Sequence, residues 1–122
     1  MMNLNAIELK TFVPSKDFQV SKEFYLALGF TKASDDHGVA YFHHGDCRFL
    51  LQNFYEESLA DNFMMYLLVE DAEAWHQFIT ESGLVEQYGV KITELTEQPW
   101  GMLDFVLTDP SGVLWRFGQN FA

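Results

Sequence analysis

Basic residues are scarce in this 122-residue chain: seven Lys plus Arg stand against 18 Asp plus Glu, a formal net charge of −11. The seven (Lys10, Lys16, Lys22, Lys32, Arg48, Lys91 and Arg116) are scattered along the sequence. Nucleic-acid binding needs cations gathered against phosphates, so that class of partner is excluded. Cysteine is all but missing. Cys47 alone excludes an internal disulfide and fits a reducing compartment. Placed at the start of an apolar run, it is expected as a small core residue. No stretch approaches the roughly 18 uninterrupted apolar residues of a membrane span. The first ten residues lack the basic-then-apolar layout of a signal peptide. A soluble cytoplasmic protein with no membrane partner is expected.

Aromatic residues, in contrast, are plentiful: 12 Phe, 5 Tyr and 3 Trp. With 48% hydrophobic and 20% charged residues, the chain has the composition of one compact domain. That many rings exceed what a minimal core needs, so some are expected to line a binding surface. The negative field favours solubility and attracts cationic ligands.

Two segments carry helical spacing. Val20, Phe24, Ala27 and Leu28 share one face, with Asp17 or Ser15 as cap and Gly29 as stop. Ala74, Trp75, Phe78, Ile79 and Ser82 share another, with Asp71 as cap and Gly83 as stop. Asp17, Phe24 and Gly29 recur as Asp71, Phe78 and Gly83, each 54 positions on. A strand-like run precedes each helix, at 7–13 and 63–69. Three follow each: 31–34, 39–43 and 47–53, then 90–97, 103–108 and 113–117. The order β-α-β-β-β therefore occurs twice. The expected organisation is an α+β domain of two modules, 1–53 and 63–122, joined by an exposed acidic linker at 54–62.

The stretches 13–30, 44–51, 59–71 and 99–120 resemble the vicinal oxygen chelate superfamily of glyoxalases, dioxygenases and bleomycin resistance proteins. The resemblance rests on Asp17-x-x-x-Ser21-x-x-Phe24-Tyr25-x-x-Leu28-Gly29-Phe30 and on Asp109-Pro110-Ser111-Gly112 followed by Phe117-Gly118-Gln119. Ala60-Asp61-Asn62 and Trp100-Gly101 are most similar to the bleomycin resistance branch. The resemblance implies curved mixed sheets and a homodimer. It also implies sequestration, without chemistry, of a cationic glycopeptide drug between subunits. Enzymes of the superfamily hold a divalent metal on the concave sheet face. The four ligand positions carried over fall on Lys10, Leu50, Met64 and Arg116, none a usable ligand. The histidines do not repair this. His43 and His44 point to opposite strand faces, His76 flanks a helix stripe, and His37 sits in a turn. No nucleophile–base arrangement is visible, so neither a metal, a cofactor nor a catalytic residue is expected.

Strand alternation sorts the faces. Ile7, Leu9, Thr11 and Val13, together with Cys47, Phe49 and Leu51, Met65, Leu67 and Val69, Leu103, Phe105 and Leu107, and Val113, Trp115 and Phe117, are expected against the helices. The opposite, ligand-facing set includes Lys10, Tyr41, Arg48, Leu50, Met64, Tyr66, Met102, Asp104 and Arg116. Trp100 leads the candidates, since an indole beside a glycine at a strand start can stack on a planar ligand. Tyr66 matches an aromatic contact position of the resembled branch, and Asp61 and Asp104 are candidate partners for a cationic group. Lys10, Arg48 and Arg116 weigh the other way unless they pair with Glu8 and Asp104. The leading expectation is a homodimeric, metal-independent binding protein for a planar or aromatic small molecule. The alternative is a metal-dependent enzyme of glyoxalase or dioxygenase type with an atypical site.

Overall fold

A computed structural model describes residues 1–120. The chain runs β1 (Phe12–Pro14), α1 (Phe18–Leu28), β2 (Thr31–Asp36), β3 (Val39–His44), β4 (Cys47–Gln52) and α2 (Glu57–Ala60). It continues with β5 (Met64–Leu68), α3 (Ala72–Glu81), α4 (Leu84–Tyr88), β6 (Thr96–Gln98), β7 (Met102–Thr108) and β8 (Leu114–Asn120). Two four-stranded sheets result, in the orders β1-β4-β3-β2 and β5-β8-β7-β6. Each is mixed: β1 lies parallel to β4 and β5 parallel to β8, while the remaining pairs are antiparallel. The α+β architecture expected from the repeat is the one observed.

The caps follow the sequence. The Asp17 carboxylate accepts from Val20 N at 3.2 Å, and Gly29 closes α1 at φ 112°. Asp71 accepts from Ala74 N at 2.9 Å in the same way. Ser15 is not a cap: its buried hydroxyl donates to Gln52 O at 2.7 Å. Gly83 ends one helix and opens another. At φ 81° it turns the chain into α4, which the sequence reading did not contain.

One core joins both modules. Trp115 of β8 packs among Tyr25, Phe30 and Phe49, with ring centroids 5.2–5.6 Å apart. Its indole donates to Tyr25 Oη at 2.8 Å, and Tyr25 Oη donates to the Asp109 carboxylate. Helix α1 is thus tied to the β7–β8 turn, 84 residues away in sequence. Asp109 also accepts from Ser111 N at 2.8 Å and Val113 N at 2.9 Å, which shapes that turn.

Several expectations are corrected. The strand expected over 7–13 pairs only from Phe12, and Ile7 and Leu9 are almost fully exposed, at 95% and 93%. Val13 reaches the helix-covered core, but Thr11, Leu9 and Ile7, upstream on the same expected face, are all exposed. Cys47 is exposed, because it begins β4 at the hairpin end, beyond the cover that buries Phe49 and Leu51. Phe78, the repeat partner of fully buried Phe24, is 46% exposed. The strand expected over 90–97 is reduced to a bridge at Ile92 and to β6. There the Thr93 and Thr108 hydroxyls accept from Val106 N and Lys91 N, taking acceptor positions that an unbroken ladder gives to carbonyls. The linker contains the single turn α2 and buries Ala60 completely.

Candidate functional site

Each sheet turns one face to the helices and leaves the other open, and the polar side chains on the open faces gather in two clusters. In the first sheet Glu8 is the hub. Its carboxylate accepts from Tyr41 Oη at 2.9 Å and from Arg48 Nη1 at 2.8 Å, and pairs with Lys10 Nζ at 2.9 Å. The Lys10 ammonium also lies 4.7 Å from the centre of the Tyr41 ring. Arg48 Nη2 approaches Asp46 at 3.9 Å. The register explains the gathering: Arg48 is opposite His43, one diagonal step from Tyr41, and the arm carrying Glu8 passes alongside.

In the second sheet the hub is Asp104, buried to 2% exposure. It accepts from Arg116 Nη1 at 2.8 Å and from Gln98 Nε2 at 2.9 Å. Asp104 faces Gly118 across the β7–β8 ladder, and Arg116 reaches it diagonally. A carboxylate so placed is a support beneath the open face, with both oxygens engaged, and not a free anion waiting for a cation. Asp61 is exposed at the end of α2, beside Gly112 of the β7–β8 turn. It stands at the opposite end of β7 from Trp100.

The pairing decides an electrostatic question. All three open-face cations have carboxylate partners: Lys10 and Arg48 share Glu8, and Arg116 takes Asp104. With Asp46 also 3.9 Å from Arg48, three carboxylates stand against these three cations, so charge at the open faces is close to balanced, whereas the whole chain is strongly negative. What remains uncovered is apolar and aromatic: Phe12, Met64, Tyr66, Leu68 and Trp100 are each half or more exposed. Trp100 is held in the β6–β7 turn by Gly101 N donating to Gln98 O at 3.1 Å, and Gly101 takes φ 84°. Leu50 and Met102 are half-buried. The two clusters lie on separate sheets. Among the described residues, no hydrogen bond or ion pair joins one to the other.

The side chains at the four metal-ligand positions do not suit a metal. Lys10 and Arg116 are cations in ion pairs, and Leu50 and Met64 offer no oxygen or imidazole donor. Among the described residues, no three His, Cys, Asp or Glu side chains come together as a metal-holding group. His44 instead bonds Gly29 O at 3.1 Å, and His76 bonds Thr93 O at 3.0 Å. A groove of about 310 Å³ opens elsewhere, on the helix side, between Leu28, His44, Trp75 and Phe78. It includes none of the candidate ligand residues. Sequence reasoning missed Gln98 as a partner of Asp104, and it missed Gly118. A glycine inside a strand is a signal of close approach that was there to be read.

A family model, the Glyoxalase/Bleomycin resistance protein/Dioxygenase superfamily, matches residues 6–117, and the chain belongs to that superfamily. Solved structures agree on the fold. A bleomycin-binding protein complexed with bleomycin is 27% identical, with a TM-score of 0.81 over 95% of this chain and 100% of that one. A bleomycin resistance determinant encoded on the transposon Tn5 is 25% identical, with a TM-score of 0.75 over 95% and 100%. A bleomycin-binding protein from bleomycin-producing Streptomyces verticillus, complexed with copper(II)-bleomycin, is 22% identical, with a TM-score of 0.80 over 98% and 100%. No curated protein matches by sequence. No helix among the described residues is long and apolar enough to cross a membrane.

Proposed function

We propose that the chain is a homodimeric binding protein that sequesters a planar, cationic antibiotic of the bleomycin class, without metal and without chemistry, in the cytoplasm. One observation carries this reading: exposed aromatic and apolar side chains share the open faces with cations that already have carboxylate partners. A floor with free cations would select an anion. Here stacking and apolar contact are left to do the binding, and the acidic chain draws a cationic ligand toward it. The likeness to a bleomycin-binding protein, 27% identical over 95% of the chain, supports the ligand class. The substituted ligand positions weigh against the metal-dependent alternative.

The surfaces that one chain leaves uncovered support the dimer. Ile7 and Leu9 stand in water, and two open sheet faces each carry half-exposed rings. Burying these surfaces against a second copy completes a cleft that four strands cannot close. In native mass spectrometry with metal-free bleomycin, the complex is expected at twice 14.1 kDa plus the drug. The released drug is expected at its original mass. A drug recovered with altered mass, or one bound to the monomer alone, would overturn the proposal.

A further inference from the structure

Seven of the eight glycines have positive φ, where a side chain would be strained. Gly118 is the exception. It lies inside β8 with ordinary strand geometry, opposite Asp104 on one side and Leu68 on the other. Its backbone does not call for glycine, and glycine weakens a strand interior. The space above it is what matters. A Cβ at position 118 would overlap Tyr66 Oη and would stand 2.8 Å from Cζ and 3.1 Å from Cε1 of the same ring.

We propose that Gly118 is a positioning residue, whose missing side chain lets Tyr66 lie flat across β8 and so sets the aromatic floor of the binding face. Tyr66 is opposite Arg116 in the parallel β5–β8 ladder, and its ring leans two pairs further along β8, over Gly118 on the same face. Lying there, the ring extends the surface formed by the Arg116–Asp104 pair, and half of it stays open for a ligand to stack on. Any side chain at 118 pushes the ring up into the cleft. The atoms met first are the far end of a half-exposed side chain, so the ring gives way and the sheet does not. The substitution therefore changes the shape of the site while leaving the fold in place.

This inference rests on the binding role proposed above, and its test separates the two. The probe for the pose needs no ligand: 3-fluorotyrosine is incorporated throughout, and the Tyr66 fluorine resonance is assigned by its loss in Tyr66→Phe. Gly118→Ala is expected to move that resonance and to leave the thermal midpoint within about 3 °C of the parent. Metal-free bleomycin is then titrated into four proteins: the parent, Gly118→Ala, Tyr66→Ala and the double variant. Gly118→Ala is expected to weaken binding about tenfold when Tyr66 is present and less than twofold when position 66 is alanine. An unmoved resonance would overturn the inference. So would an equal loss of affinity in both backgrounds, since Gly118 would then act without Tyr66. A parent that does not bind the drug contradicts the ligand reading, while the resonance still decides the pose.

Discussion

Replacing Asp109 with alanine is expected to destabilise the fold by about 3 kcal/mol and to lower the thermal midpoint by roughly 10 °C. Asp109 is 3% exposed and serves three donors: the Tyr25 hydroxyl and the backbone N–H groups of Ser111 and Val113. Alanine leaves all three buried without an acceptor. Each orphaned donor costs about 1–3 kcal/mol, and partial relaxation holds the sum near the lower end. A domain of this size has only about 5–15 kcal/mol of stability in total. Asparagine keeps an oxygen for the two backbone groups and is expected to cost about 1 kcal/mol. Denaturant unfolding of the three proteins checks the order. The loss is large because the network spans the modules, from α1 to the β7–β8 turn and Trp115.

The same network gives a pH dependence. Burial pushes the Tyr25 hydroxyl well above its ordinary value, and the neighbouring Asp109 charge and hydrogen bond push it further. In the unfolded chain Tyr25 ionises near pH 10. Its raised value in the fold means a stabilising contribution that is complete below that pH and is lost as pH rises beyond it. Stability is therefore expected to fall above about pH 10, and to fall less steeply in Tyr25→Phe. Burial also raises the Asp109 carboxyl, against the pull of its hydrogen bonds. That smaller contribution is present at acid pH and lost as pH rises through the raised value.

Trp100→Ala is expected to weaken bleomycin binding about 30-fold, or about 2 kcal/mol, with the thermal midpoint nearly unchanged. The indole is 65% exposed, so removing it uncovers little core. Its value appears only when a planar ligand covers it. Among the described residues, no ring stacks on it, and Gly101 and Gln98 hold the turn through backbone atoms. Tryptophan fluorescence separates it from the others, because Trp115 is 2% exposed and Trp75 is half-buried. Iodide is expected to quench Trp100 in the free protein and not in the complex. A stability loss in place of an affinity loss would make Trp100 a structural residue.

Local contacts are readable in the sequence, and contacts made only by the fold are not. Local signals were legible: Asp17 and Asp71 cap, Gly29 stops, and alternation placed Phe49, Leu51, Trp115 and Phe117 in the core. Alternation names a face without saying whether anything covers it, which is why Ile7, Leu9 and Cys47 were misplaced inside. The repeat matched Phe78 to Phe24, but helix packing differs between the modules, with α4 next to α1 as well as α3. In the site, the charges and the candidate partners Glu8 and Asp104 were visible, and the pairing itself was not. Whether Arg116 reaches Asp104 depends on a diagonal step in the β7–β8 register. Tyr25–Asp109 and Tyr66–Gly118 were invisible for the same reason, since each joins residues brought together only by the fold.

On the proposed function, a metal-free, aromatic, charge-balanced cleft binds a cationic planar drug. The direct measurement is a calorimetric titration of chelator-treated protein with metal-free bleomycin. Saturable binding is expected at micromolar or tighter affinity, at the same strength after the chelator as before it. No binding until a divalent metal is restored would contradict it, as would binding only of anionic ligands.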